Sequence, residues 1–288
     1  MTFATSHVRG SVAVTVGMAA SLSLLTPATH AHAASNAVPS YEVKINLTAA
    51  ALDASHAPSA AVRSAFGITG SAKKRSYSYY DSASQDMAGQ GWSVRLRHKD
   101  GASSFEETYK KRFTVSGGDI DAALTQANQA GFDSGDTNYK AEVDWGYAKQ
   151  TLSFSNDKTH SASGYSGTSL PSSDTGRNWL AADIPGKLAN WGSTGWGTGV
   201  LGSSRAHGPV TSNVYAGAWG PSDDASIEVL PVVGASGSGT EYVIELSFKT
   251  DDFTDAAALH KDALSAAEQN GWLYKGDILK TDLILDRY

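Results

Sequence analysis

The sequence predicts an α+β protein built on an antiparallel β-barrel of about eight strands with flanking helices. Alternation of apolar and polar residues, the period of a β-strand, recurs along the chain. Helical segments lie between groups of strands rather than after each strand, which is typical of α+β proteins. The polar faces of several strands carry both acids and bases. The alternating segments are Tyr41–Leu47, Trp92–Lys99, Phe105–Phe113, Tyr139–Gly146, Thr151–Ser155, Ile227–Val233, Tyr242–Thr250 and Leu279–Leu285.

Composition excludes several classes of protein. The 288 residues carry a net charge of −6, so the chain lacks the overall basic character of a nucleic-acid-binding protein. The sequence contains 0 cysteines, which rules out disulfides, thiolate zinc sites and cysteine nucleophiles. Any metal must therefore be held by carboxylates or histidines.

The first 33 residues are typical of a secretory signal peptide. A weakly basic start precedes the apolar run Val12–Leu25, and Ala31-His32-Ala33 offers a small-x-small cleavage site. A buried N-terminal helix is the alternative, but Gly10, Gly17 and Pro27 favour a leader. Cleavage after Ala33 leaves a single secreted domain, residues 34–288, with no further stretch long enough to cross a membrane.

Three segments have helical spacing, and one region differs in composition. The helices are predicted over Ala57–Phe66, Ile120–Ala130 and Asp255–Asn270, the last capped by Thr254. Residues from about 156 to 220 form a Gly- and Ser-rich insertion, with a short helix predicted near Ala181–Trp191. The insertion contains four tryptophans, Trp179, Trp191, Trp196 and Trp219. They are expected either to pack as a lid on the barrel or to stack on sugar rings.

The polar faces of the strands suggest a charged channel. Arg95, Arg97 and Lys99 share one face, and Glu106, Thr108, Lys110 and Arg112 share another. A solvated sheet face explains any one strand taken alone. A closed barrel with the polar face inward better explains bases clustered on adjacent strands.

Such a channel suits a polyanion together with a hard cation. Guanidinium and ammonium groups bind phosphate oxygens, and carboxylates across the lumen bind Mg²⁺ or Mn²⁺. Each acid could instead simply pair with a neighbouring base; Glu142 and Asp144 are expected to pair with Lys140. The candidate carboxylates are Glu42, Glu142, Asp144, Glu228 and Glu245.

Several motifs resemble those of the CYTH, or triphosphate tunnel metalloenzyme, superfamily. Glu42-Val43-Lys44 matches the end of its Glu-x-Glu-x-Lys strand, with Ser40 in place of the first Glu. Tyr79-Tyr80-Asp81-Ser82, then Gly91 through Arg97, match its Tyr-Tyr-Asp and Gly-x-x-Leu-Arg-x-Arg segments. Thr108-Tyr109-Lys110 matches a following Thr-x-Lys strand, and Lys280-Thr281 occupies the place of a late Ser-Lys.

The resemblance implies an eight-stranded antiparallel tunnel that binds triphosphate compounds with a divalent cation. Lys44 and Arg97 are then the predicted catalytic residues, and Glu42 and Glu245 the predicted ligands of Mg²⁺ or Mn²⁺. The predicted substrate-binding residues are Lys44, Arg95, Arg97, Lys110, Lys249 and Lys280.

Three functions remain open on the sequence. The first is a secreted metal-dependent phosphohydrolase of triphosphate or polyphosphate compounds, whose partner is a phosphate-rich small molecule or polyphosphate rather than a nucleic acid. The second is a non-catalytic extracellular module that binds a polyanion, because Ser40 removes one carboxylate. The third is carbohydrate binding through the tryptophan-rich insertion.

Overall fold

The computed structural model describes residues 1–2 and 34–288, and residues 34–288 form one compact unit. The predicted signal peptide lies largely outside the described residues. Within them, strands pair in a closed barrel in the order β1-β5-β6-β4-β3-β2-β7-β8-β9. These strands span Ser40–Leu47 (β1), Lys73–Asp81 (β2), Trp92–Lys99 (β3), Ser104–Val115 (β4), Lys140–Trp145 (β5), Gln150–Ser161 (β6), Arg205–Trp219 (β7), Ser222–Val233 (β8) and Thr240–Thr250 (β9).

The barrel confirms the predicted fold class and refines its topology. Every neighbouring pair of strands is antiparallel except β1 and β5, which run parallel. β2 was not among the predicted alternating strands, because the alternate positions Ser76, Ser78 and Tyr80 do not form a clearly apolar face. β7 was hidden in the Gly- and Ser-rich region. β6 extends to Ser161 and β7 spans Arg205–Trp219, so only residues 162–204 and Gly220 of the predicted insertion lie outside the strands.

The helices pack mainly on the outside of the barrel. They span Ala60–Ala65 (α1), Asp86–Gly89 (α2), Ile120–Gln129 (α3), Ser173–Ala182 (α4), Gly186–Ala189 (α5), Trp196–Ser203 (α6), Phe253–Gln269 (α7) and Lys280–Arg287 (α8). Two helix details differ from the prediction. The side chain of Asp252, not Thr254, accepts from the backbone N–H of Asp255 and caps α7. The short helix predicted near Ala181–Trp191 is divided between the end of α4 and α5. No helix in the described part of the chain is long and apolar enough to cross a membrane.

Apolar residues alternate outward from the strands and are covered by these helices. Val43, Ile45 and Phe248 are 0% exposed beneath α1 and α7. Trp92 and Phe105, on the opposite wall, are buried beneath α3 and the α4–α6 segment. Because β-strand side chains alternate, this coverage leaves the charged residues of the same strands facing inward.

The tryptophans of the predicted insertion are half-buried and pack against these cores. Trp179 stacks on His160 with ring centroids 4.0 Å apart, and Trp191 meets Trp92 edge-on at 5.6 Å. Trp196 packs on the same core, while Trp219 stacks on Phe248. The α4–α6 segment therefore covers a side wall of the barrel, whereas the sequence left open a lid over one end. The ring faces used in these contacts are not free for a sugar.

The C-terminal segment corrects one prediction. Residues Leu279–Leu285 were expected to form a strand, but α8 occupies Lys280–Arg287. Its buried residues, Thr281, Ile284 and Leu285, follow the i, i+3, i+4 spacing of a helix, which outweighs the apparent alternation.

Helix α8 packs against the inner face at one end of the barrel. Ile284 and Leu285 contact an apolar group that includes Tyr77, Leu230 and Val243. Leu230 pairs with Val243 two residues from the pair Glu228–Glu245, so all four side chains share the inward face. This end of the barrel is consequently apolar and covered, while the remaining inner surface is charged.

Truncating the inner face of α8 should destabilise the protein. We expect Ile284→Ala, which removes a side chain that is 0% exposed, to lower the free energy of unfolding by about 2–5 kcal/mol. Asp286→Ala on the exposed face of α8 should change it by about 0.5 kcal/mol or less. Urea unfolding followed by tryptophan fluorescence measures both. Equal effects would show that α8 is not held by its inward apolar contacts.

Candidate functional site

Strand register places the charged residues on one continuous inner surface. Directly opposed residues of neighbouring strands share a face. Arg97 lies opposite Glu106, and Arg95 lies opposite Thr108. Glu42 lies opposite Lys249 on one side and beside Asp144 on the other. The prediction that both acids and bases face a common lumen is thus met by the pairing of β1, β3, β4, β5 and β9.

Three carboxylates form the acidic part of this surface. One oxygen each from Glu42, Glu142 and Asp144 lie within 4.8 Å of one another. The group is interleaved with three lysines. Lys44 Nζ lies 2.7 Å from Glu42 and 2.5 Å from Asp144, and Lys249 Nζ lies 2.8 Å from Glu142. Lys110 Nζ is more distant, at 3.5 Å from Glu142 and 3.8 Å from Asp144. We call these six residues the carboxylate–lysine cluster.

The lysines keep the carboxylates of this cluster ionised. Burial alone raises the pKa of Glu42, but Lys44 and Lys249 outweigh it and lower that pKa to about 2. Burial likewise opposes ionisation of Asp144, and the nearby Lys110 and Lys44 lower its pKa below the usual range. In turn, Asp144 and Glu42 hold the pKa of Lys44 well above its usual value despite burial. The cluster is therefore a set of full charges that balance.

The parallel pairing of β1 and β5 assembles the acidic group. It places Ser40 beside Glu142 and Glu42 beside Asp144. Glu142 and Asp144 were predicted to pair with Lys140, but their ion-pair partners are Lys44, Lys110 and Lys249. Lys140 is exposed at the start of β5. Where Ser40 replaces the first Glu of the resembled motif, a carboxylate thus comes from the neighbouring strand instead.

A second ion cluster lies toward α8. Glu228 is 2% exposed and contacts Arg75 and Lys280; its carboxylate Oε2 lies 2.8 Å from Arg75 Nη2. Lys280 also lies 2.7 Å from Glu245. Despite burial, Lys280 and Arg75 hold the pKa of Glu228 well below its usual range. Glu245 was predicted from the sequence as a metal ligand, and in the structure its carboxylate contacts Lys280. The carboxylates that lie close to Glu42 are those of Glu142 and Asp144.

Arg97 is held by an acid of the neighbouring strand. Its Nε donates to Glu106 Oε2 at 2.6 Å, and Lys99 pairs with the same carboxylate. Burial and the nearby Arg95 lower the pKa of Arg97 to about 10. The side chain predicted to be catalytic thus faces the lumen, and Glu106 already balances its charge. The catalytic roles predicted for Arg97 and Lys44 stay predictions.

Two inward arginines, unlike Arg75 and Arg97, have no carboxylate partner in the described part of the chain. Arg95 donates from Nη2 to Thr108 Oγ1 at 3.2 Å, and its buried Nε has no hydrogen-bond partner. Arg112 donates to Ser93 Oγ at 2.9 Å and to Thr281 Oγ1 at 3.3 Å. Among the described residues, no carboxylate lies within 4 Å of either guanidinium. With Lys110, they form what we call the basic wall.

The uncompensated charges of Arg95 and Arg112 also act on a neighbouring phenol. Burial raises the pKa of Tyr79, but Arg95 and a hydrogen bond with Thr281 outweigh it, and the net shift is downward. An anionic ligand would be favoured at the same place for the same electrostatic reason.

Some of these residues were not chosen from the sequence. Arg75 precedes Tyr77 and Tyr79 on the same face of β2, so its alternation with them was a usable signal. Arg112 was placed on the inward face but not among the site residues. Nothing local to the sequence indicates that β5 lies beside β1, since parallel partners are joined only through long connections.

The arrangement can hold a cation and a polyanion side by side. The three carboxylates supply the oxygen ligands that Mg²⁺ and Mn²⁺ prefer. The basic wall offers planar guanidinium groups suited to phosphate oxygens. Cation binding by the carboxylates would also release three lysines from their partners.

Comparisons with known proteins give matches at the level of structure alone. No protein-family model matches this chain, and no curated protein matches it. A putative adenylyl cyclase from Hippeastrum, reported to have a dominant triphosphatase activity, is 14% identical and aligns over 82% of this chain and 91% of its own, with a TM-score of 0.38. A putative adenylate cyclase from Vibrio parahaemolyticus is 12% identical over 86% of this chain and 99% of its own, with a TM-score of 0.40.

A third solved structure belongs to the same group. A putative adenylate cyclase from Bacillus halodurans is 10% identical over 72% of this chain and 78% of its own, with a TM-score of 0.36. The closed barrel in the strand pairing confirms the tunnel architecture on its own.

Acid should weaken the fold through the carboxylate–lysine cluster. Because the pKa of Glu42 is lower in the folded chain than in the unfolded one, its contribution is complete above about pH 5 and is lost as the pH falls toward 2. A shift of this size corresponds to about 3 kcal/mol. We expect Glu42→Gln to lower the free energy of unfolding at pH 7. The decline of that free energy between pH 5 and 2 should be smaller than in the wild type.

Urea unfolding at a series of pH values, without metal, measures this effect. Glu268→Gln, an exposed change on α7, is the control and should leave the wild-type profile unchanged. A Glu42→Gln profile parallel to that of wild type would show that Glu42 is not ionised by its lysine partners.

Proposed function

We propose that this chain is a divalent-metal-dependent phosphohydrolase of triphosphate or polyphosphate compounds that acts outside the cytoplasm. The observation that carries the proposal is the basic wall. Arg95 and Arg112 face the interior of the barrel without a carboxylate partner among the described residues. Two such cations favour an anionic ligand between them, since uncompensated charge in a low-dielectric interior is costly.

A polyphosphate fits the charges better than a single carboxylate ligand does. The basic wall offers two guanidinium groups and one ammonium group, so it can contact several phosphoryl oxygens at once. Lys44 and Lys249 both contact Glu42 and would contact further phosphates. Lys249 is 45% exposed, so this side of the cluster is reached by solvent.

The residues present fit a divalent cation. Glu42, Glu142 and Asp144 form an all-oxygen donor set close enough to share one ion. A bound Mg²⁺ or Mn²⁺ would neutralise phosphate charge and orient the phosphoryl group for attack by water. Lys44 would move from its two carboxylates to the ligand, and Arg95 and Arg112 would stabilise the charge that develops on the phosphoryl oxygens. The tunnel walls would limit the approach of bulk water.

Export is part of the proposal and is supported by the sequence. The leader-like first 33 residues and the lack of cysteine suit a protein secreted by a bacterium. A metal-independent polyanion-binding module is the second candidate, because lysines already balance the carboxylates of the cluster. Turnover separates the two.

Turnover of tripolyphosphate is the primary test. We expect the purified chain to release phosphate from tripolyphosphate with Mg²⁺ or Mn²⁺, and none after the metal is removed with EDTA. Arg95→Ala and Arg112→Ala should each raise the KM at least about tenfold, because each loses a charged phosphate contact. Lys261→Ala, an exposed change on α7, is the control and should leave the kinetics unchanged.

The outcome decides between the two candidate functions. Binding of tripolyphosphate in calorimetry without any turnover would overturn the hydrolase in favour of the binding module. Neither binding nor turnover would overturn both. Kinetics of Arg95→Ala and Arg112→Ala equal to those of wild type would place the substrate elsewhere.

A carboxylate at position 40 should strengthen the metal site. Ser40 lies beside Glu142 in the parallel pair, so Ser40→Glu would add a fourth carboxylate to the group. With tripolyphosphate present, we expect tighter binding of Mn²⁺ or Mg²⁺ and faster hydrolysis. Without metal, repulsion among four carboxylates should lower the midpoint of thermal unfolding.

The neutral variant Ser40→Gln is the matched control and should show neither change. Isothermal calorimetry measures the change in metal affinity, and thermal unfolding without metal measures the change in the unfolding midpoint. Identical titrations of Ser40→Glu and wild type would mean that position 40 does not reach the metal.

A further inference from the structure

A second group of metal-ligating side chains lies on the outside of the barrel, away from the lumen. One ligand atom each from Glu107, His160 and Asp183 lie within 4.8 Å of one another. Glu107 belongs to β4 and His160 to β6, where their opposed partners are Lys158 and Phe105. Both therefore point to the outer face, opposite to Glu106 and Lys110. Asp183 immediately follows α4.

The Glu107 carboxylate lacks the partners that a buried acid needs. Its residue is 0% exposed, and Oε1 has no hydrogen-bond partner. Oε2 lies 2.9 Å from the Tyr109 hydroxyl, which also lies 2.8 Å from the carbonyl of Leu180 and has one proton to donate. Burial accordingly raises the pKa of Glu107. A buried carboxylate oxygen without a hydrogen-bond partner is costly, so its presence calls for a ligand.

The other two members are positioned and accessible. The His160 ring stacks on Trp179 at a centroid distance of 4.0 Å, which fixes its orientation. His160 and Asp183 are half-buried, so water can reach the group. The backbone carbonyl of Asp183 accepts from Lys158 Nζ, which ties the loop after α4 to β6.

We propose that Glu107, His160 and Asp183 bind a transition-metal dication, Zn²⁺ or a close analogue, on the outer wall of the barrel. The imidazole nitrogen favours Zn²⁺ or Co²⁺ over Mg²⁺, whereas the all-oxygen group in the lumen favours Mg²⁺ or Mn²⁺. Three protein ligands leave the fourth tetrahedral position to water. The ion satisfies Glu107 and joins β4, β6 and the α4–α5 connection, so it fastens the α4–α6 segment to the barrel.

Cobalt provides a direct spectroscopic probe of this site. Metal is removed with a chelator, and the full chain is titrated with Co²⁺ in excess Mg²⁺ and without phosphate, so that neither tunnel binding nor hydrolysis contributes. We expect saturable visible d–d absorption with one Co²⁺ bound, displacement by one equivalent of Zn²⁺, and a higher midpoint of thermal unfolding with either ion.

Matched variants locate the bound ion. His160→Asn and Asp183→Asn should each weaken Co²⁺ binding at least about tenfold, while Glu142→Gln in the lumen should leave the spectrum and affinity unchanged. If His160→Asn does not fold, Asp183→Asn decides, because its carboxylate is half-exposed in a loop. Absence of saturable Co²⁺ binding, or binding lost in Glu142→Gln but kept in Asp183→Asn, would overturn the proposal. Failure of triphosphate hydrolysis alone would not affect it.

Discussion

Balance of charge inside the barrel is the constraint on which the rest of the structure depends. Glu42 and Glu228 are buried and Asp144 is half-buried, and a carboxylate so placed is tolerated only with a cation beside it. Lys44 supplies that cation to Glu42 from the same strand and to Asp144 from the neighbouring one, and Arg75 supplies it to Glu228 from β2, with β7 between. The barrel can therefore close around charged side chains because acids and bases meet on its inner face.

The balance is not uniform around the lumen. On the β1, β5 and β9 side, Lys44 and Lys249 of these strands, together with Lys110 of β4, neutralise the three carboxylates. On the β3 and β4 side, Arg95 and Arg112 have only hydroxyl partners. A polyanion without a cation would neutralise only the arginines on the β3 and β4 side. A cation alone would bind only the carboxylates on the β1, β5 and β9 side. A polyanion that arrives with a cation satisfies both, which is why the proposed substrate is a metal–polyphosphate complex.

The sequence predicted the inward face of most strands, because alternation fixes which residues share a face without any knowledge of the partner strand. Arg95, Arg97, Lys110 and Glu42 were found in this way. Residues whose role depends on which strands are neighbours were misassigned. Glu142 and Asp144 were predicted to pair with Lys140, because the parallel β1–β5 pair leaves no local signal in the sequence. The segment of α8 was mistaken for a strand because its short apolar run satisfies both periods.

The parallel pair also has a consequence for how the chain reaches its folded state. β1 lies between β5 and β9, so the first strand cannot be enclosed on both sides until the last strand has been made. Contacts that join Ser40 to Glu142 and Glu42 to Lys249 link residues far apart in the sequence, and such non-local contacts slow folding. A growing chain therefore stays open until its C-terminal third is available. For the export that we propose, late closure would keep the chain unfolded while it crosses the membrane.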